Sequence, residues 1–268
     1  MATRPKRDST PGLRRERVAM AGRRSERRRA VVLDRTKLGE QDLILTMVSL
    51  EGEQLRAVAK GARKPGSRLA ARTELFCDVD MLLSYGRGLA IVSEAQVMDA
   101  HEGVRGDLER LSCASAICEV ARLTCYENMQ DAFLHPLLSR TLTACEQASD
   151  RNHLDLVYSA YVFKVLSHAG WRPELEGCIA CGEPSATRFS VTGGGVLCES
   201  CARDVAGAKL VTDNLIAWID ALIKSTFDAL VASDVDGGTA AYLVGVAHEW
   251  ATTHLESRLR ASEFFAGI

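Results

Sequence analysis

From Arg27 onward the apolar residues fall into short runs: Ala30–Leu33, Leu43–Leu50, Leu55–Ala59, Leu75–Leu83 and Leu89–Val97. Turn residues separate the runs, at Leu38-Gly39-Glu40, Glu51-Gly52-Glu53, Lys64-Pro65-Gly66-Ser67 and Tyr85-Gly86-Arg87-Gly88. Five short strands with regular turns predict a small all-β barrel. After about Asp99 the period lengthens. Leu108, Leu111, Ser115, Cys118, Arg122 and Cys125 step by threes and fours, which predicts a helix. Phe133, Leu137, Leu138 and Leu142 predict a second, with Pro136 near its first turn. Leu154 to Leu166 predict a third, stopped by Gly170 with Pro173 beyond. Thr212 or Asp213 caps a fourth helix that carries Leu215, Ile219 and Leu222, and a last one carries Tyr242 through Trp250 to Leu259. The fold class is therefore α+β: a barrel over 27–103 and a helical domain over 104–268, preceded by a polar, basic and disordered tail over 1–26.

Between the third and fourth helices lie Cys178-Ile179-Ala180-Cys181 and Cys198-Glu199-Ser200-Cys201. Two C-x-x-C knuckles at this separation are a zinc signature, since each turns two thiolates to one side and two knuckles complete a tetrahedron. Arg188–Val191 and Val196–Cys198 read as strands about Thr192-Gly193-Gly194-Gly195, so the insert at about 176–204 is a zinc hairpin. Four cysteine ligands fill the coordination sphere, which makes one structural zinc ion per chain the expectation. Cys77, Cys113, Cys118, Cys125 and Cys145 form no second ligand set and are expected in the core.

Charge adds a second candidate. The net charge is −2, but residues 1–30 hold eleven Lys or Arg against three acids, leaving −10 on the rest. A basic tail on an acidic body points to a polyanionic partner, although Met20 offers an alternative start within it. Lys60, Arg63, Lys64, Arg68 and Arg72 place five cations within thirteen residues, without an acid, on a glycine-containing loop between two predicted strands. Such a loop suits phosphate-backbone binding, and Arg35, Lys37 and Arg87 extend the patch. Phe76 and Tyr85 are its candidate stacking aromatics. No apolar run reaches membrane-spanning length, no secretory signal is evident, and the thiol content suits a reducing cytoplasm.

The strings Arg29-Ala30-Val31-Val32-Leu33-Asp34-Arg35-Thr36-Lys37-Leu38-Gly39-Glu40-Gln41-Asp42 and Ala57-Val58-Ala59-Lys60-Gly61-Ala62-Arg63-Lys64-Pro65-Gly66-Ser67, followed by the paired C-x-x-C knuckles, resemble the bacterial recombination mediator family RecO. The resemblance covers roughly residues 28–265 and includes His254-Leu255-Glu256-Ser257-Arg258-Leu259. It implies an OB-fold barrel, a helical domain with an inserted four-cysteine zinc finger, and no enzymatic turnover. It further implies binding to single- and double-stranded DNA and strand annealing. With RecR, such a protein helps RecA displace single-strand-binding protein (SSB) near the nucleoid. An apolar pocket for the acidic SSB tail would need a basic rim, for which Arg122, Arg140, Lys164 and Arg172 are candidates.

Three other readings compete. A zinc hydrolase lacks a His-Glu pair beside the cysteines and has no open ligand position. A GTPase-activating zinc finger would need an arginine five residues after Cys201, where Ala206 stands. A non-catalytic scaffold would use the helical domain and leave the barrel cations idle.

Overall fold

The computed structural model describes Ser25–Gly267, so the predicted tail lies outside the described residues up to position 24. Strand β1 runs Ser25–Leu38, β2 Asp42–Ser49, β3 Gln54–Ala59, β4 Asp78–Ser84 and β5 Ala90–Asp99. They close a barrel in the order β1-β2-β3-β5-β4, with β3 and β5 parallel and the other pairs antiparallel. This is the OB-fold arrangement. All five strands were legible as apolar runs. The short helix α1 (Arg68–Arg72), capped by Ser67, joins β3 to β4. The expected single flexible loop over Lys60–Arg72 is thus a turn followed by a helix. The barrel also begins at Ser25 rather than at residue 27, because Ser25 and Glu26 pair with Ser84 and Leu83.

The Ala30-Val31-Val32-Leu33 run is apolar throughout because both faces of β1 are covered. Ala30 and Val32 fill the barrel with Leu45, Met47, Val79 and Met81. Val31 and Leu33 point the other way, and with Val48 and Phe76 they join the core of the helical body. That body comprises α2 (Glu102–Arg105), α3 (Leu108–Thr124), α4 (Leu134–Gln147) and α5 (Arg151–His168), followed after the hairpin by α6 (Asp213–Lys224), α7 (Phe227–Val231), α8 (Gly237–His254) and α9 (Arg260–Ala266). Helix α5 is buried from Leu154 to Phe163 and forms the axis around which α3, α4, α6 and α8 pack. The last predicted helix is in fact two. It breaks at Glu256, whose φ of 48° is left-handed, and Leu259 turns inward to start α9.

The β2–β3 turn welds the two parts together. The Gln54 side chain donates twice, to the carbonyls of Arg122 at 2.9 Å and Cys125 at 3.1 Å. Gly52 has φ 84°, and a Cβ there would lie 1.7 Å from the Asp131 carbonyl oxygen, so only glycine permits this approach. An ion pair with a buried carboxylate reinforces the junction. Asp78, 1% exposed, receives Arg29 Nε at 3.0 Å and Nη2 at 2.7 Å, with His135 Nε2 3.6 Å away. Burial on its own would raise the Asp78 pKa. The contacts with His135 and Arg29 outweigh it and hold the carboxyl at about 2, below its ordinary 3.8.

A depressed carboxylate pKa stabilises the fold above the unfolded value, and that stability is lost as pH falls through the folded one. We therefore expect about 2 kcal/mol to disappear between pH about 4 and about 2 through Asp78 alone. Urea unfolding at the two pH values should show this loss in the native chain and not in Asp78→Asn, which should be weaker at both. Equal acid sensitivity in the two proteins would refute the assignment.

Candidate nucleic-acid interface and metal centre

The two most specific strings of the sequence fold onto each other. Gly61 donates its N–H to Asp42 Oδ1 at 2.7 Å, and Arg63 N donates to the Gln41 carbonyl at 2.9 Å. The Arg63 guanidinium then donates to the carbonyls of Gly39 and Glu40, both at 3.0 Å. Gly39, Gly61 and Gly66 all hold positive φ, which shapes the two turns so that they can clasp. The clasp sits at one mouth of the barrel. Lys37 opposes Leu43, and Leu43 opposes Ala59, so Lys37 and Lys60 lie at the same end. Lys64 folds its stem against Gly61, and Arg68 opens α1 directly after the turn.

The seven cations singled out from the sequence therefore separate into groups. Lys37, Lys60, Lys64 and Arg68 are exposed, and none of them has a carboxylate within ion-pair distance among the described residues. Arg63 spends its guanidinium on the turn. Arg35 is largely covered and bridges Glu74 at 2.6 Å, so its charge is shared with that carboxylate. Arg72 donates to the Ala95 carbonyl at 3.1 Å and stands among Arg27, Asp80 and Glu94, away from the clasp. Arg27, Arg28 and Arg29, which swell the basic count of the N-terminal thirty residues, each rest on acids of the barrel. Arg56 was missed in the sequence. It is the outward residue between inward-packed Leu55 and Ala57 of β3, a position that strict alternation would have flagged.

Of the two expected stacking aromatics, Phe76 is 1% exposed and belongs to the helical core, so it is not available to a base. Tyr85 remains partly exposed at the start of the β4–β5 loop, near exposed Arg87. The expected basic rim of the helical body is also largely spent. Arg122 faces Asp34 at 3.5 Å and Arg140 faces Asp228 at 2.7 Å. Lys164 donates to the carbonyls of Ile223 and Ser225 at the end of α6, at 2.8 and 2.6 Å, and burial lowers its pKa.

The hairpin forms as expected from β6 (Arg188–Ser190) and β7 (Gly195–Leu197), with a third strand, β8 (Lys209–Leu210), that sequence did not disclose. The four sulfurs of Cys178, Cys181, Cys198 and Cys201 lie within 4.8 Å of one another. The Cys181 and Cys198 sulfurs are 3.8 Å apart, close to the edge of a tetrahedron with metal–sulfur bonds of about 2.3 Å. Gly182, at φ 77°, closes the first knuckle by donating to the Cys178 carbonyl at 2.8 Å. The electrostatics ask for a cation. Backbone hydrogen bonds, first from Cys198, hold Cys178 down to about 6, while the Cys198, Cys181 and Cys178 sulfurs push Cys201 up to about 12. The residues fit a tetrahedral metal ion, which would let all four thiolates stay ionised. The other five cysteines are buried, as anticipated.

Comparison with known proteins decides the lineage. The model described as "Recombination protein O N terminal" matches residues 20–101, and "Recombination protein O C terminal" matches 105–263. The chain belongs to the RecO family. It is similar to "DNA repair protein RecO" of Bifidobacterium longum (strain DJO10A), 32% identical over 233 residues that cover 86% of this chain and 94% of the relative. It is 31% identical to the protein of the same name from Bifidobacterium adolescentis over 237 residues, covering 86% and 95%. The two matched RecO segments meet between residues 101 and 105, where β5 gives way to α2. No helix among the described residues is long and apolar enough to cross a membrane.

Proposed function

We propose that this RecO-family chain is a DNA repair and recombination mediator that grips nucleotide backbones without reading bases and carries out no turnover. One observation supports it above the rest. Many cations of the described residues sit on carboxylates, as Arg28, Arg29, Arg140, Arg188, Lys209 and Lys224 do, whereas Lys37, Lys60, Lys64 and Arg68 have none within ion-pair distance and lie together at one mouth of an OB barrel. Phosphates of either single- or double-stranded DNA would displace counterions there, and with Phe76 buried and Tyr85 only partly exposed the barrel offers bases little to stack on, which makes the contact tolerant of sequence. Covering phosphates on two strands lowers the repulsion that opposes pairing, which is all that annealing requires. Arg63 positions this surface through the Gly39 and Glu40 carbonyls, while Arg35 on Glu74 and Arg72 on the Ala95 carbonyl contribute charge to the barrel outside it.

The four-cysteine centre is read as structural zinc, since thiolate-only tetrahedral sets favour that ion. Membership of the RecO family supports extending the reading to cooperation with RecR, displacement of SSB through its acidic tail and loading of RecA, in the cytoplasm beside the nucleoid. The test is annealing of complementary oligonucleotides coated with SSB, run across a salt series. Annealing that fades steeply with salt is expected. No annealing at any ionic strength would sink the mediator reading and favour a scaffold.

A further inference from the structure

A cleft of ≈ 1140 Å³ lies between the metal hairpin and α6, apart from the barrel mouth. One wall is the strap after α5, Pro173 to Glu176, together with Pro184–Thr187 of the hairpin. The other is a single stripe of α6, in which Asp213, Ile216, Ala217, Asp220 and Lys224 follow helical spacing. The stripe spans about 16 Å, the length of roughly five residues of extended chain. Leu175, Ala186 and Ile216 form an apolar floor, each packed on the core from one side and only partly covered from the other.

The charges are distributed to both sides of that floor. Glu174 and Glu176 stand on one wall, Asp213 and Asp220 on the other, against Arg172 and Lys224. Lys224 is already held by Asp220 at 2.8 Å. Glu174, Glu176 and Asp213 have no basic partner among the described residues, so the cleft carries a net −2. That field repels phosphates and equally repels an acidic tail. It complements a strand with Lys or Arg on either side of an aliphatic residue.

We propose that the cleft between the hairpin and α6 docks a basic, aliphatic-anchored peptide segment of a partner protein. The aliphatic side chain settles on Leu175 and Ile216, and the flanking cations meet Glu174, Glu176 and Asp213. Because Pro184–Thr187 follows the first cysteine knuckle, the site exists only while the metal holds the hairpin.

The probe is a fluorescein-labelled peptide, Ala-Lys-Leu-Ile-Arg-Lys-Ala, titrated with the metal-loaded full chain at low salt and read by anisotropy. The expected result is saturable binding that falls on the order of tenfold for the Glu-substituted counterpart peptide. Glu174→Lys with Glu176→Lys should weaken the basic peptide by a similar factor while metal content and oligonucleotide affinity stay unchanged. Ala217→Trp, which fills the cleft from the exposed side of α6, should do the same by a different route. Equal binding of both peptides, or full affinity in the metal-loaded variants, overturns the proposal and leaves the DNA reading untouched.

Discussion

Stripping the metal from the folded chain is expected to melt the hairpin and to pull the helical body down with it. The reason is shared packing. Phe189, Val191 and Val196 of the hairpin belong to the same core as α5 and α8, and Phe189 lies 5.8 Å from Trp250 between ring centroids. Trp250 in turn packs beside Phe163 and donates its indole N–H to the Trp171 carbonyl at 3.2 Å. Apparent binding free energies of structural zinc run to about 10–16 kcal/mol, as large as the whole stability of many domains. Cys181→Ser combined with Cys198→Ser should therefore lose the metal, lower the melting temperature steeply and collapse the near-ultraviolet signal of Trp171 and Trp250. The far-ultraviolet signal of the barrel should persist. Metal content by atomic emission and circular dichroism before and after chelation would decide it. A chelated protein with an unaltered melting curve would show that the cluster does not hold the fold.

The second large effect concerns the barrel mouth. Lys60→Ala, Lys64→Ala and Arg68→Ala together should reduce affinity for a single-stranded oligonucleotide by one to two orders of magnitude at about 50 mM salt. They should also make the dependence of log affinity on log salt shallower by about 2, since each phosphate contact contributes roughly 0.7 on single strands. All three side chains are exposed, so the fold should be unaffected. Arg63→Ala is the informative companion. Its guanidinium ties the loop to the Gly39 and Glu40 carbonyls, so its loss should loosen the clasp and lower affinity with little change in slope. If the triple variant keeps both affinity and slope, the barrel cations are idle and the scaffold reading gains.

Much of this was legible in one dimension, and the reasons differ by feature. The strands announced themselves because barrel residues such as Leu45 and Met47 alternate with turns that need Gly39, Gly52 and Gly66. The meeting of Cys178, Cys181, Cys198 and Cys201 was legible because thiolate geometry leaves few spacings that suit a metal. The division of the last helix was not, because Leu255 and Leu259 keep an apolar period through the break at Glu256. Strand β8 is two residues long and exposed, so it carries no pattern of its own.

Local order was written in neighbouring residues: which segments extend, which coil, and which four sulfurs meet all depend on groups close together along the chain. The worth of each charge emerged only in three dimensions. Arg35, Arg27 and Lys60 are equally basic as letters, yet Glu74 and Asp80 reach the first two from distant segments while Lys60 is left to solvent. A cation's availability depends on which acids the fold brings within a few ångströms, and that distance is set by strand register and helix packing rather than by position in the chain.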